Sequence, residues 1–298
     1  MSTRRIHAFA AAFLGFAAAA SAQTIQFVSV TRQAAYVQTG ATVSDLSADP
    51  TTPFRFRAAV EGDSGTTATN PWTAVTVTPP GGSATSMTFN TGDKQWQFED
   101  TTPTSMANLN ATYGTGGYTF TPTGTPSGTA TVTVGSFAAS LLNIPLLTLS
   151  GGSWVGGSYV ISNTAMLTVT FNAVFTGTPG ATDGFHFDSR INGSTSMDGA
   201  NDFANWDPTT NAAANYPSTP PAFIVGAGQL AAGSYTIEAS YDDIQNPASV
   251  YGSAFSASLF ELRTTVNLTV VPEPAALAAA FGALALLGVF ARRRLLVA

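Results

Sequence analysis

Along most of this chain apolar and polar residues alternate with a period of two, and clusters of Gly, Pro, Asn and Asp cut the alternation into short segments. Such a pattern puts successive side chains on opposite faces of an extended backbone. It suits strands with one buried face and favours β structure over a helix bundle, whose apolar positions recur every three to four residues. The strand candidates are residues 24–37, 54–60, 73–78, 95–99, 117–121 and 128–134, then 144–149, 158–161, 166–175, 184–191, 222–225, 234–241 and 259–270. Outside the two ends no stretch shows helical periodicity. Pro79-Pro80-Gly81-Gly82 and Thr121-Pro122-Thr123-Gly124-Thr125-Pro126 are expected to be loops, because proline lacks the donor that a central strand needs.

Composition agrees with a turn-rich β chain. Only 9% of the residues are charged, while Gly numbers 28 and Pro 17, so Thr, Ser, Asn and backbone must supply the surface. The absence of Cys excludes a disulfide framework, a thiolate metal site and a cysteine nucleophile. A chain of 298 residues has room for two ordinary domains. The least regular internal stretch, 135–143, sets the expected boundary near residue 140.

Each half closes in a similar way. Gly116-Gly117-Tyr118-Thr119-Phe120 and Gly233-Ser234-Tyr235-Thr236-Ile237 both precede a final strand. This Gly-x-Tyr-Thr-apolar pattern resembles the late strands of immunoglobulin-like and fibronectin-type sandwiches, where a tyrosine at a corner anchors a loop. The resemblance implies an all-β body of two β-sandwich domains in tandem, 24–138 and 142–270. Trp154, in a Gly-rich segment before a long strand, suits the same fold, and Trp72, Trp96 and Trp154 are expected in the core.

Residues 1–22 read as a signal peptide. Arg4 and Arg5 come first, an apolar stretch spans 8–20, and Ala20-Ser21-Ala22 precedes Gln23, the small residues a signal peptidase accepts before its cut. His7 and Ala8 follow the arginines where twin-arginine export prefers bulky apolar residues, which favours the Sec route.

At the other end Pro272-Glu273-Pro274 leads into an apolar run at 275–291, and Arg292, Arg293 and Arg294 follow at once. At 1.5 Å per residue the run is roughly 25 Å long, a short transmembrane helix. The arginines stay in the cytoplasm, so the rest of the chain faces outward. Tripeptide, helix and basic stop in that order resemble the PEP-CTERM sorting signal of Gram-negative bacteria, over residues 271–298. The resemblance implies processing by an exosortase, passage through the inner membrane as an anchored intermediate, and a final place at the cell surface or outside the cell.

Without the terminal segments, six basic and sixteen acidic residues remain. Such a body cannot neutralise phosphates, so nucleic-acid binding is excluded. His186 is the one histidine left, and in Phe185-His186-Phe187-Asp188 it shares a face with Asp188 opposite the two rings. It is expected to face solvent. Glu238, Asp242 and Asp243 are imaginable glycosidase acids, but no spacing selects them, and no nucleophile elbow, zinc motif or phosphate loop is present. No catalytic residue and no cofactor is assigned, and a non-enzyme is expected.

The densest group of hard oxygen ligands is Asp183, Asp188, Asp198, Asn201, Asp202, Asn205 and Asp207. Asp198, Asn201, Asp202 and Asp207 are the candidate calcium ligands; the preferred reading is a solvated, turn-rich loop whose side chains cap their own backbone. Trp206 and Tyr216 are candidates for a sugar-stacking platform, with Trp206 as a plug that pins the loop to the core the preferred alternative. Alternating Thr at 129–133 is ordinary strand sequence rather than an ice-binding face. The first functional expectation is therefore an exported, exosortase-sorted protein with a structural or adhesive role linked to exopolysaccharide or biofilm. A carbohydrate-binding module, dependent on calcium or aromatic stacking, and a secreted hydrolase with an unfamiliar carboxylate site are the alternatives.

Overall fold

The computed structural model describes residues 25–62, 72–124, 128–135, 142–174, 184–194, 196–198, 202–203, 220, 222–250 and 254–273. The strands β1 (Phe27–Gln38), β2 (Leu46–Ala48), β3 (Phe54–Glu61), β4 (Ala74–Thr78), β5 (Thr85–Ser86), β6 (Thr88–Asn90) and β7 (Gln95–Asp100) lead to one short helix, α1 (Met106–Thr112). After it come β8 (Gly116–Thr123), β9 (Ala130–Val134), β10 (Leu147–Ser150), β11 (Gly152–Val155), β12 (Ser158–Ser162) and β13 (Leu167–Phe171). The chain continues through β14 (Gly184–Asn192), β15 (Met197–Asp198), β16 (Asp202–Phe203), β17 (Phe223–Val225), β18 (Gly233–Val250) and β19 (Ala254–Val271). Every strand expected from the alternation is present, most within a few residues of its expected ends.

A 12-stranded sheet, whose main path runs β15-β14-β18-β19-β1-β3-β7-β6 with β2, β11, β12 and β16 paired off it, runs through the molecule, and one face of it carries two smaller sheets. The four-stranded sheet β5-β4-β8-β9 packs over β1, β3 and β7, with Val28, Val30, Phe56, Ala58, Val60, Val75, Val77, Tyr118, Phe120 and Val132 in one apolar cluster. The three-stranded sheet β10-β13-β17 packs over β14, β18 and β19 in a second cluster that includes Leu147, Leu167, Val169, Phe187, Ile237, Tyr241, Leu262 and Val266. The strand order β6-β7-β3-β1 over β5-β4-β8-β9 is the D-E-B-A over C′-C-F-G arrangement of immunoglobulin-type sandwiches. In the second cluster β12 lies parallel to β19 and β10 pairs β13.

The two sandwich-like packings are joined through their sheets. β1 pairs β19 in parallel, in unbroken register from Phe27 opposite Phe255 to Gln38 opposite Val266. Beyond that register β12 takes over the same side of β19, from Tyr159 opposite Leu268 to Ser162 opposite Val271. Strands from both sides of residue 140 thus share one sheet, and two strands that would have been open edges cover each other.

Both tyrosine corners form. The Tyr118 hydroxyl donates to the Gly114 carbonyl at 3.0 Å and the Tyr235 hydroxyl to the Ala231 carbonyl at 3.0 Å. The two corners also share a buried bulky residue five positions before the tyrosine, Tyr113 in one and Leu230 in the other. Gly116 turns the first corner with φ at 127°, and a Cβ there would lie 2.9 Å from the Pro80 ring, so glycine is required.

Two sequence expectations fail locally. Helix α1 was not expected; Ser105 caps it by accepting from the Asn108 N–H at 3.0 Å, and Leu109 anchors it in the core. Seven residues are too few to display a helical period. Pro122 lies within β8 opposite Val75 rather than in a loop. The pairing of β8 with β9 stops at Phe120, so at Pro122 the strand has β4 alone beside it, the kind of edge position where proline is tolerated.

Arg32 sits on the core face of β1 between the two clusters, 2% exposed. Its guanidinium donates to Asn110 Oδ1 at 3.1 Å, to the Tyr113 carbonyl at 3.2 Å and to the Gly135 carbonyl at 3.2 Å. It ties the strand to α1 and to the end of β9. Burial pushes its pKa down to about 10, against a smaller upward pull from Tyr118.

Candidate functional site

The charge that this chain spends so sparingly is gathered on the other face of the large sheet. On β14, Phe187 and Ile191 face the apolar cluster, so His186, Asp188 and Arg190 point the opposite way. The same alternation on β18 turns Ile237, Ala239 and Tyr241 inward and Glu238, Ser240 and Asp242 outward. On β19 Leu262 and Val266 are inward, and Glu261 and Arg263 outward. Gln33 on β1 and Arg55 and Arg57 on β3 continue the strip.

Register brings these residues into rows. His186 lies opposite Asp242, Asp242 opposite Glu261, Glu261 opposite Gln33, and Gln33 opposite Arg55. The side chains pair along the rows: His186 Nδ1 meets Asp242 Oδ2 at 2.7 Å, and Gln33 Nε2 donates to Glu261 Oε1 at 2.9 Å. In the neighbouring rows Arg190 meets Glu238 at 3.3 Å and Asp188 at 3.9 Å, and Arg263 meets Glu238 at 3.9 Å. Further along, Arg57 meets Asp93 at 3.8 Å and Arg55 meets Glu99 at 3.8 Å.

His186 was expected to face solvent, and this is corrected: it is 5% exposed and Asp242 is 6% exposed. The alternation identified the face on which His186 lies, but not that this face is covered. Asp242 and Asp243 are neighbours on one strand and point apart, as a strand requires. Sequence reasoning missed the strip because its members come from five strands and only register aligns them. The signal it left is the rarity of charge, since four of the basic residues outside the ends, Arg55, Arg57, Arg190 and Arg263, fall on it.

Opposed charges packed at this depth bind strands laterally. A cross-strand pair of this kind is worth about 0.2–1 kcal/mol, and removing one partner costs more because a buried charge is left alone. Among the described residues no group of three or more His, Asp or Glu side chains is gathered to hold a metal ion.

Asp198 and Asp202 lie in short strands on the edge of β14, where Asp198 is opposite Arg190 and Asp202 opposite Phe187, and not in a turn. Asn201, Asp207, Trp206 and Tyr216 lie outside the described residues. Pro272 and Glu273 follow directly on the end of β19 and are exposed; Pro274, Arg292, Arg293 and Arg294 lie outside the described residues, as do Ala20, Ala22 and Gln23. No helix among the described residues is long and apolar enough to cross a membrane, and 275–291 is not among them. Trp72 and Trp96 are in the core as expected, whereas Trp154 is half-buried at the margin of its cluster, packed edge-on against Tyr159 with ring centroids 5.4 Å apart.

No protein-family model matches this chain, and no curated protein does. Among solved structures, the native conformation of E. coli alpha-2-macroglobulin is 8% identical at a TM-score of 0.20, over 84% of this chain and 14% of the macroglobulin. The B domain of a biofilm associated protein is 7% identical at a TM-score of 0.20, over 83% of this chain and 88% of the domain. At that score neither superposition specifies a common fold.

Proposed function

We propose that the chain is an exported surface protein of a Gram-negative bacterium, sorted by its tail, with a body that serves as a non-catalytic structural or adhesive unit in exopolysaccharide or biofilm matrix. Signal peptidase removes residues 1–22. An exosortase then processes the tail at 271–298 while residues 275–291 rest in the inner membrane. The body is two immunoglobulin-like sandwiches, 24–138 and 142–270, and takes no cofactor.

The observation that carries this reading is how tightly the body fills the space between the two signals. Ile25, three residues after Ala22, is already buried, and the paired length of β19 ends at Val271, next to Pro272. A paired central strand that ends directly before Pro272 supports a reading in which the body is held close to the sorting machinery during processing. The paired charges of the polar strip support a structural role, since their charge is spent on neighbouring strands.

The test is the intact mass of the protein recovered from the surface of cells that encode an exosortase. The expected species begins at Gln23 and lacks the apolar stretch. A full-length polypeptide in the cytosol, with both termini untrimmed, would contradict the reading.

A further inference from the structure

The two strands that join the sandwiches run in the same direction, and the ends that matter for tension lie at opposite ends of the sheet. β1 begins at Phe27 opposite Phe255, whereas the tail leaves β19 at Val271, beyond the partner of Gln38. A pull on the first sandwich that is resisted at the tail therefore runs along both strands in opposite senses. Their ladder spans 12 residue pairs, roughly 40 Å at the rise of a strand, and under such a pull its bonds are loaded together. A pull applied to the Phe27 and Phe255 ends would instead open the ladder one bond after another.

Four further features reinforce the seam. The β12 pairing holds β19 up to Val271, so no loose residue precedes the tail. On its other flank β19 is bonded to β18 from Gly233 opposite Val270 onward. Gln33 and Glu261 add a side-chain bond of 2.9 Å across the seam itself, and Arg32 fixes β1 to α1 and β9 on the core side.

We infer that the β1–β19 seam is a shear clamp that carries tension between the first sandwich and the tail end of β19. The direction of natural load rests on the surface reading above, while the mechanical asymmetry belongs to the fold. The seam lets a sheet built of two sandwiches act as one tether.

Single-molecule pulling tests it. The chain has no Cys, so thiol handles can be placed without competition in the full-length protein in detergent. One pair, Gln26→Cys with Pro272→Cys, loads the seam in shear; the other, Gln26→Cys with Ala254→Cys, opens it from one end. The clamp predicts a severalfold higher rupture force for the first pair, and Gln33→Ala with Glu261→Ala lowers the force there more than in the second geometry. Equal forces in the two geometries, or a higher force for the second, would overturn the clamp. Failure of the surface reading shows instead in the mass of the termini and leaves the force ratio untouched.

Discussion

Tyr118 and Tyr235 each close a corner with a hydroxyl bond to a carbonyl four residues upstream, and the Tyr235 hydroxyl also pairs with Ser194 Oγ at 2.9 Å. Replacing Tyr118 with Phe keeps the ring in the core and removes one bond, at a cost of about 0.5–1.5 kcal/mol, whereas Tyr235→Phe removes two and should cost more. Because the two lie in separate apolar clusters, the double variant is expected to show nearly the sum in urea denaturation. Arg32→Met is more damaging. It fills the space but leaves Asn110 Oδ1 and the carbonyls of Tyr113 and Gly135 without their donor, about 1–3 kcal/mol for each acceptor left dry, and the denaturation midpoint should fall accordingly. Asp100 gives a pH signature. Burial pushes its carboxyl up, but hydrogen bonds from Tyr113 and Thr102 outweigh this and hold it below the ordinary 3.8. A depressed carboxylate stabilises the fold above the unfolded value, and that contribution is lost as pH falls through the lower folded value. Tyr113→Phe removes the strongest of those bonds, 2.6 Å long. The stability gap between variant and native protein should therefore be widest near neutral pH and narrow in acid below 3.8.

At the scale of elements, the seam and the polar strip share one pair that can be measured, Gln33 and Glu261. A double-mutant cycle with Gln33→Ala and Glu261→Ala should return a coupling of about 1.5–3 kcal/mol, the range for a hydrogen bond to a charged group; a coupling near zero would mean that the bond contributes nothing across β1 and β19. The strands were legible because their alternation is local, and so were the corners, because Gly, Tyr and Thr fall within a few residues of one another. The seam was not, since Gln33 and Glu261 lie 228 positions apart and nothing in either segment names its partner. The same holds for His186. Its neighbours Phe185 and Phe187 fixed its face, but Asp242 meets it only through the register of β14 with β18. Short elements such as α1, β5 and β16 were invisible for a different reason, having fewer residues than a period needs to show itself.

For the whole molecule, the shared sheet decides how the two halves behave. Tandem sandwiches joined by a linker alone would unfold independently, whereas here the loss of one half strips β1 or β19 of its long parallel neighbour and exposes the edge of the other. The two apolar clusters are distinct but share members of the first half, since Ala34 belongs to the second cluster and Phe54 and Met106 pack against both, and the backbone ladder joins them. Such coupling makes the body one cooperative unit, which a tether anchored through β19 requires. Scanning calorimetry examines this most directly: the account predicts a single transition whose calorimetric and van't Hoff enthalpies agree. Two resolved transitions, each with a fraction of the total enthalpy, would contradict it.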